Sequence, residues 1–268
     1  MSYDPVLLGG GITGWKFLQS TYDRQFEAFS QSAVLERESD YFLENIGNVE
    51  TAEDLVKDRR LLEVALGAFG LEDQIDMKAL VQKVLEEGSA ADDALANRLG
   101  DDRWVAFTEA FGFGPGETKR TGDLEAMQAV VFTNKTQSFE VAVGNQEESL
   151  RVALYAEREL IPLVAESEDG STPSVNTQWY NIIGQPQLQT MMQITLGLPE
   201  SIGQIDVDQQ VTVFREASLR FFGTDDLSEF SDPEKMTKLI NTYLAREEIA
   251  AFEASNSPSA TALMLLQS

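Results

Sequence analysis

Gly9 to Gly14, GGGITG, satisfies the spacing G-x-G-x-x-G and stands between the apolar VLL and a helix-like stretch. Glycines so spaced, where a chain turns into a helix, let backbone amides surround a phosphate at the positive end of the helix dipole. A dinucleotide fold also needs alternating strands and helices, with an acidic residue ending a second strand about 20 residues on. No such strand follows, so these glycines are expected to form a turned lead-in to the first helix. GFGPGETK, Gly112 to Lys119, lacks the interval of a Walker loop and reads as helix termination followed by a linker.

Paired carboxylates at Asp92-Asp93, Asp101-Asp102 and Asp225-Asp226 are the next candidates, for calcium or for acid-base chemistry. Adjacent side chains rarely converge on one atom, no D-x-D-x-D-G loop with a closing Glu is present, and each pair stands where a helix would be capped. Asn134 opens an N-x-T sequon, which has meaning only in a secreted eukaryotic protein. The chain contains no histidine and no cysteine, which removes disulfides, thiol chemistry, ordinary zinc sites and histidine-based catalysis together. No catalytic, cofactor-binding or metal-ligating residue is therefore assigned, and the chain is read as a non-enzyme.

Lys and Arg number 20 against 45 Asp and Glu in 268 residues, a formal charge of −25 that argues against nucleic-acid or anionic-membrane partners. No apolar run approaches the ~20 residues of a bilayer span, and MSYDPVLLGGG has no positive region ahead of its short apolar patch. Neither membrane insertion nor a cleavable signal peptide is expected.

What would position any site is a succession of helices. Trp15, Leu18, Tyr22, Phe26, Phe29 and Ala33 step by three and four, a core-facing or partner-facing stripe. Thr51 and Asp54 have capping-box spacing before Leu55 to Phe69, and Gly70 supplies a left-handed stop. Asp76 is expected to cap the next helix, which ends at Gly88, and two short helices then lead to Gly112 and Gly114. VVFTNKTQSFEVAV could pass for a hairpin, but strongly helical flanks and a turn without glycine favour helix. Gly197 is expected to end a helix, Asp206 to cap Val207–Phe222, and Asp232 with Pro233 to start the last one.

Two passages repeat. With a shift of 127 positions Leu61 meets Leu188, Val64 meets Met191 and Gly70-Leu71 meets Gly197-Leu198; after a three-residue insertion, Ile75-Asp76 meets Ile205-Asp206. Burial and caps persist while surface residues change, the trace expected of a duplicated helix, glycine stop and capped helix.

YFLENIGNVETAEDLVKDRRLLEVALGAFGLEDQ, VQKVLEEG and ALANRLGDDRWVAFTEAFGF resemble an alphaproteobacterial family of uncharacterised proteins often encoded in flagellar gene clusters. SLRVALYAERE, LGLP and FSDPEKMTKLI resemble its second half, so the likeness runs over roughly residues 20–250. The resemblance implies an all-helical fold and a flagellar connection, and brings no catalytic residues.

The expected fold is all-α, a multi-helix bundle of two related helix-turn-helix halves: an N-terminal segment 1–14, halves 15–114 and 115–253, and a tail 254–268. The expected function is a structural or assembly protein of the bacterial flagellum working through protein contacts, exported without a cleavable signal. The alternative is a cytoplasmic adaptor or export chaperone that binds a partner helix. Candidate partner-binding residues are Trp15, Phe26 and Phe29 on the first stripe, and Leu263, Met264, Leu265 and Leu266 in the tail, which docks either on a partner or on its own core.

Overall fold

A computed structural model describes residues 4–165 and 171–255. They form thirteen α-helices and four short 3-10 turns, with no strand among the described residues. No helix among them is long and apolar enough to cross a membrane. Two compact units divide the chain, Met1–Val6 with Thr21–Ala142 and Leu7–Ser20 with Val143–Ser268.

The first unit holds the end of α1 (Gly11–Ser30), then α2 (Ala33–Asn45), α3 (Ala52–Lys57), α4 (Arg59–Gly67), α5 (Lys78–Glu87), α6 (Leu95–Arg98), α7 (Asp102–Phe111) and most of α8 (Leu124–Gly144). Helix α4 packs on α2 and α3, and α5 packs on α3, α6 and α7. Leu62, Leu66, Val84 and Phe107 sit fully buried at the centre. The hydroxyl of Thr51 accepts from the Asp54 amide at 3.2 Å while Asp54 accepts from the Thr51 amide at 3.0 Å, the reciprocal box that starts α3. Asp58, absent from the sequence reading, breaks the expected single helix in two by capping α4 through the amides of Arg60 and Leu61 at 3.0 and 3.2 Å.

Asp76 does not cap α5. The chain enters that helix from a 3-10 turn, with Met77 at the cap position and its amide bonded to the Gln74 carbonyl at 2.8 Å. The Asp76 carboxylate instead accepts from Arg59 at 2.9 Å. Nor do Asp92 and Asp93 cap α6; its cap position is Ala94, and the Leu95 amide donates to the Glu87 carboxylate at 2.8 Å. Asp101 and Asp226 do cap, at α7 and at the 3-10 turn Leu227–Ser231.

The break between units falls inside α1 and α8, whereas the sequence places it at the glycine-rich stretch after Gly112. That stretch stays within the first unit because Glu117 anchors it. Its carboxylate accepts from the amides of Ser89, Ala90 and Gly114 at 2.8, 3.3 and 3.2 Å, and the Arg120 amide returns to the Phe111 carbonyl at 3.0 Å. Gly112 closes α7 in the left-handed conformation. Residues 130–143 are helical throughout, as their flanks predict.

The second unit holds the start of α1, α9 (Glu148–Val164), α10 (Val175–Ile183), α11 (Pro186–Leu196), α12 (Val207–Phe222) and α13 (Pro233–Ser255). Helix α11 packs on α9, α12 and α13, and α10 packs on α9 and α12. Trp179, Phe214 and Leu239 are fully buried, and the Trp179 indole donates to the Asp225 carbonyl at 2.8 Å. Asp206 caps α12 through the Asp208 amide at 2.9 Å and Asp232 caps α13 through the Glu234 amide at 2.8 Å. Both units thus contain a helix, a left-handed glycine (Gly70 or Gly197), a 3-10 turn and a further helix.

Candidate functional site

At the N-terminus of α1 the place of a phosphate is taken. A Cβ on Gly10 would lie 2.7 Å from the carboxyl carbon of Glu147, and one on Gly11 would overlap the carboxylate of Glu248. These side chains are the anions that meet the helix dipole there, and their charge repels a phosphate. Glu147 and Glu148 come from the start of α9, Glu247 and Glu248 from the end of α13. Burial, with Glu147 second, raises the Glu247 carboxyl above its ordinary range; burial, with Glu247 and Glu148 next, drives the Tyr243 phenol far above its own. Among the described residues no three such groups are arranged to hold a metal ion. GGGITG therefore serves close packing: a Cβ on Gly14 would run into the Gly9 backbone carbonyl and Gly11 holds a positive φ, while the carboxylates near Gly10 and Gly11 are flexible ends that could move aside.

The stripe on α1 is covered by the chain itself. Trp15 and Leu18 are buried in the second unit, at 1% and 0% exposure. In the first unit Phe29 is buried and Phe26 half-buried, grouped with Tyr22 around Phe139 of α8. Phe139 meets the rings of Tyr22, Phe26 and Phe29 edge-on at 5.3, 5.7 and 5.4 Å. Periodicity shows that a helix has an apolar face but not what lies on it; here Trp15 and Phe29 are core and unavailable to a partner. What the stripe does leave at the surface is a neighbour that sequence reading missed. Phe132 of α8 packs its ring on Phe26 at 5.9 Å yet remains 61% exposed, as does Leu124 two turns earlier.

Also in the first unit, Arg60 lies 3.6 Å over the ring of Tyr41 and donates to Glu38 at 2.8 Å, while the Tyr41 hydroxyl donates to Asp58 at 2.6 Å. The hydrogen bond from Arg60 leads in holding the Glu38 carboxyl below its usual range, against burial. Burial alone would raise Asp58, but Tyr41 and the amides of Leu61 and Arg60 outweigh it and lower that carboxyl too. Every member is thereby occupied in tying α2 to α4, and the depression above them is open to solvent.

In the second unit a wide-open, nearly flat patch follows α13 from Glu234 through Lys238 and Thr242 to Ala245 and Arg246. Lys238 and Arg246 stand over Phe222 and Phe221 of α12, at 5.6 and 5.5 Å from the ring centres. The same helical face continues to Ile249 and Phe252, 58% and 69% exposed. Leu263 to Leu266 lie outside the described residues.

Among the described residues the surface carries open patches and exposed apolar side chains on helices. A family described as "Protein of unknown function (DUF1217)" matches residues 68–236, and the chain belongs to it. An X-ray crystal structure of a protein from Agrobacterium tumefaciens, an alphaproteobacterium, has the same fold, with a TM-score of 0.73 at 24% identity, covering 92% of this chain and 99% of that one. Among curated proteins none matches the sequence.

Proposed function

We propose that this chain is a non-enzymatic structural or assembly protein of the bacterial flagellum, acting through protein-protein contacts. The observation that carries the contact-making part is the exposure of large apolar side chains on long helices, Leu124 and Phe132 on α8 and Ile249 on α13. Such residues give a partner apolar surface to bury on contact. The flagellar part rests on the sequence resemblance described above. The proposal includes the internal repeat: α2 packs on α4 as α9 does on α11, and α3 on α5 as α10 does on α12, in keeping with the 127-residue shift between Gly70 and Gly197.

Deletion of the gene, a motility assay and purification of basal bodies test it. Loss of motility with the protein found in the purified organelle is the expected result. Full motility in the deletion strain refutes it. The second reading is a cytoplasmic adaptor or export chaperone that holds a partner helix, favoured by the exposed face of α13; loss of motility with the protein confined to the soluble fraction would select that one.

A further inference from the structure

Leu124, Gln128 and Phe132 stand at steps of four on α8, so they share one side of the helix, and all three are exposed. Ala129, next to Gln128, is exposed as well. Two large apolar side chains about 12 Å apart along the axis thus bracket shorter ones, an outline that accepts the knob of a second helix. The Phe132 end is fixed before anything binds. Its ring meets Phe26 edge-on, and Phe26 in turn stacks on Tyr22 at 5.8 Å and meets Phe139 of the core. An aromatic anchor already held by its neighbours loses little conformational freedom on contact.

The rim of this face is acidic. On α1, Asp23 and Glu27 stand three residues before Phe26 and one after it; on α8, Asp123 and Glu125 stand on either side of Leu124; all four are exposed. Arg24 and Lys135 are the cations on the same stretches of α1 and α8, so carboxylates outnumber them two to one. We propose that this face of the first unit binds a partner helix whose apolar side is bordered by Lys and Arg. Charge complementarity chooses that occupant. A second copy of this chain would bring its own −25 against the same rim, and an uncharged helix would leave the four carboxylates without a counter-charge across the contact. A basic border pairs with them, speeding encounter and fixing orientation, while the apolar side covers Leu124 and Phe132 and supplies the affinity. The proposal rests on the reading of this chain as a contact-making protein and is independent of the flagellar assignment.

The probe is a fluorescent synthetic helix of about 18 residues, five turns, with leucines on one side and lysines on the other, titrated with the full chain and read by anisotropy. Phe132→Ala, its fold checked by the urea midpoint, should weaken binding by about tenfold or more. Ile249→Ala, on the other exposed helix, should leave it unchanged. Glu27→Gln combined with Glu125→Gln should weaken binding at low salt and flatten its decline as salt rises. Absence of binding, equal affinity for the unaltered chain and Phe132→Ala, a loss with Ile249→Ala as large as with Phe132→Ala, or equal binding of the same peptide with Glu in place of Lys would each overturn the proposal. Sedimentation without peptide is the second measurement: a dimer that Phe132→Ala dissolves would make a second copy the occupant and overturn it too. None of these outcomes depends on motility or basal-body purification, so the proposal and the flagellar reading fail separately.

Discussion

Phe139 and Phe132 lie two turns apart on α8, and replacing each by alanine separates a core role from a surface role. Phe139 is fully buried and touches three rings edge-on. A buried Phe→Ala change costs about 3–5 kcal/mol, and each ring pair adds about 0.5–1.5 kcal/mol beyond area burial, so Phe139→Ala belongs at about 4–5 kcal/mol. Phe132 is 61% exposed and has one ring contact, with Phe26, so Phe132→Ala should cost no more than about 1 kcal/mol. Urea unfolding followed by circular dichroism reads both. With a slope of about 2 kcal/mol per molar, the first midpoint should fall by roughly 2 M and the second by less than about 0.5 M at unchanged slope. Equal losses, or a loss below about 1 kcal/mol for Phe139→Ala, would refute the placement of the α1 stripe against α8 as core.

Glu117→Ala should destabilise the first unit by about 1–3 kcal/mol, because three amides at residues 89, 90 and 114 lose one charged acceptor; faster hydrogen exchange at Ser89 and Ala90 is the readout. Glu38 and Asp58 have lowered pKa values, so the stability they contribute is present above the ordinary values of 4.5 and 3.8 and is lost as pH falls through the folded ones. Tyr41→Phe removes the bond to Asp58 and should flatten that acid decline, measured as urea midpoints between pH 6 and pH 3. Glu247 behaves oppositely: its raised value means stability present below 4.5 and lost as pH rises through the folded pKa, so Glu247→Gln should raise the melting temperature at pH 7 and leave it unmoved at pH 4. Gly70→Ala and Gly197→Ala should each cost a similar amount, about 1–2 kcal/mol from positive φ, because the Arg246 guanidinium that a Gly197 Cβ would meet is the end of a flexible side chain and can swing aside, while a Gly70 Cβ meets nothing closer than 3.7 Å; thermal denaturation compares the two.

Local features were mostly legible in the sequence where the partner lay within one helical turn, the cap by Asp58 on the amides of Arg60 and Leu61 being the exception. Thr51 with Asp54, Asp101, Asp206, Asp232 and the left-handed glycines 70, 112 and 197 all act as their immediate neighbours predict. Asp76 escaped because its opposing charge, Arg59, is 17 residues away and a 3-10 turn had already supplied the backbone bonds of the helix start. Glu117 escaped for a similar reason, since two of the amides it holds are more than 25 residues distant. Gly10 and Gly11 suggest phosphate by spacing alone; nothing local announces that Glu147 and Glu248 will occupy the helix end. The apolar stripe from Trp15 to Phe29 was clear, but which surface it covers is a tertiary fact.

Charge decides which partners the exposed apolar residues can meet. A formal charge of −25 repels another acidic protein over about a Debye length, roughly 8 Å at physiological salt, before short-range apolar contact can form. Leu124 and Phe132 on α8, and Ile249 on α13, therefore select against acidic partners even where shape would allow them. A basic helix would be drawn in at long range, and its binding should weaken as salt rises. An uncharged helix meets neither attraction nor penalty, so its binding should be indifferent to salt.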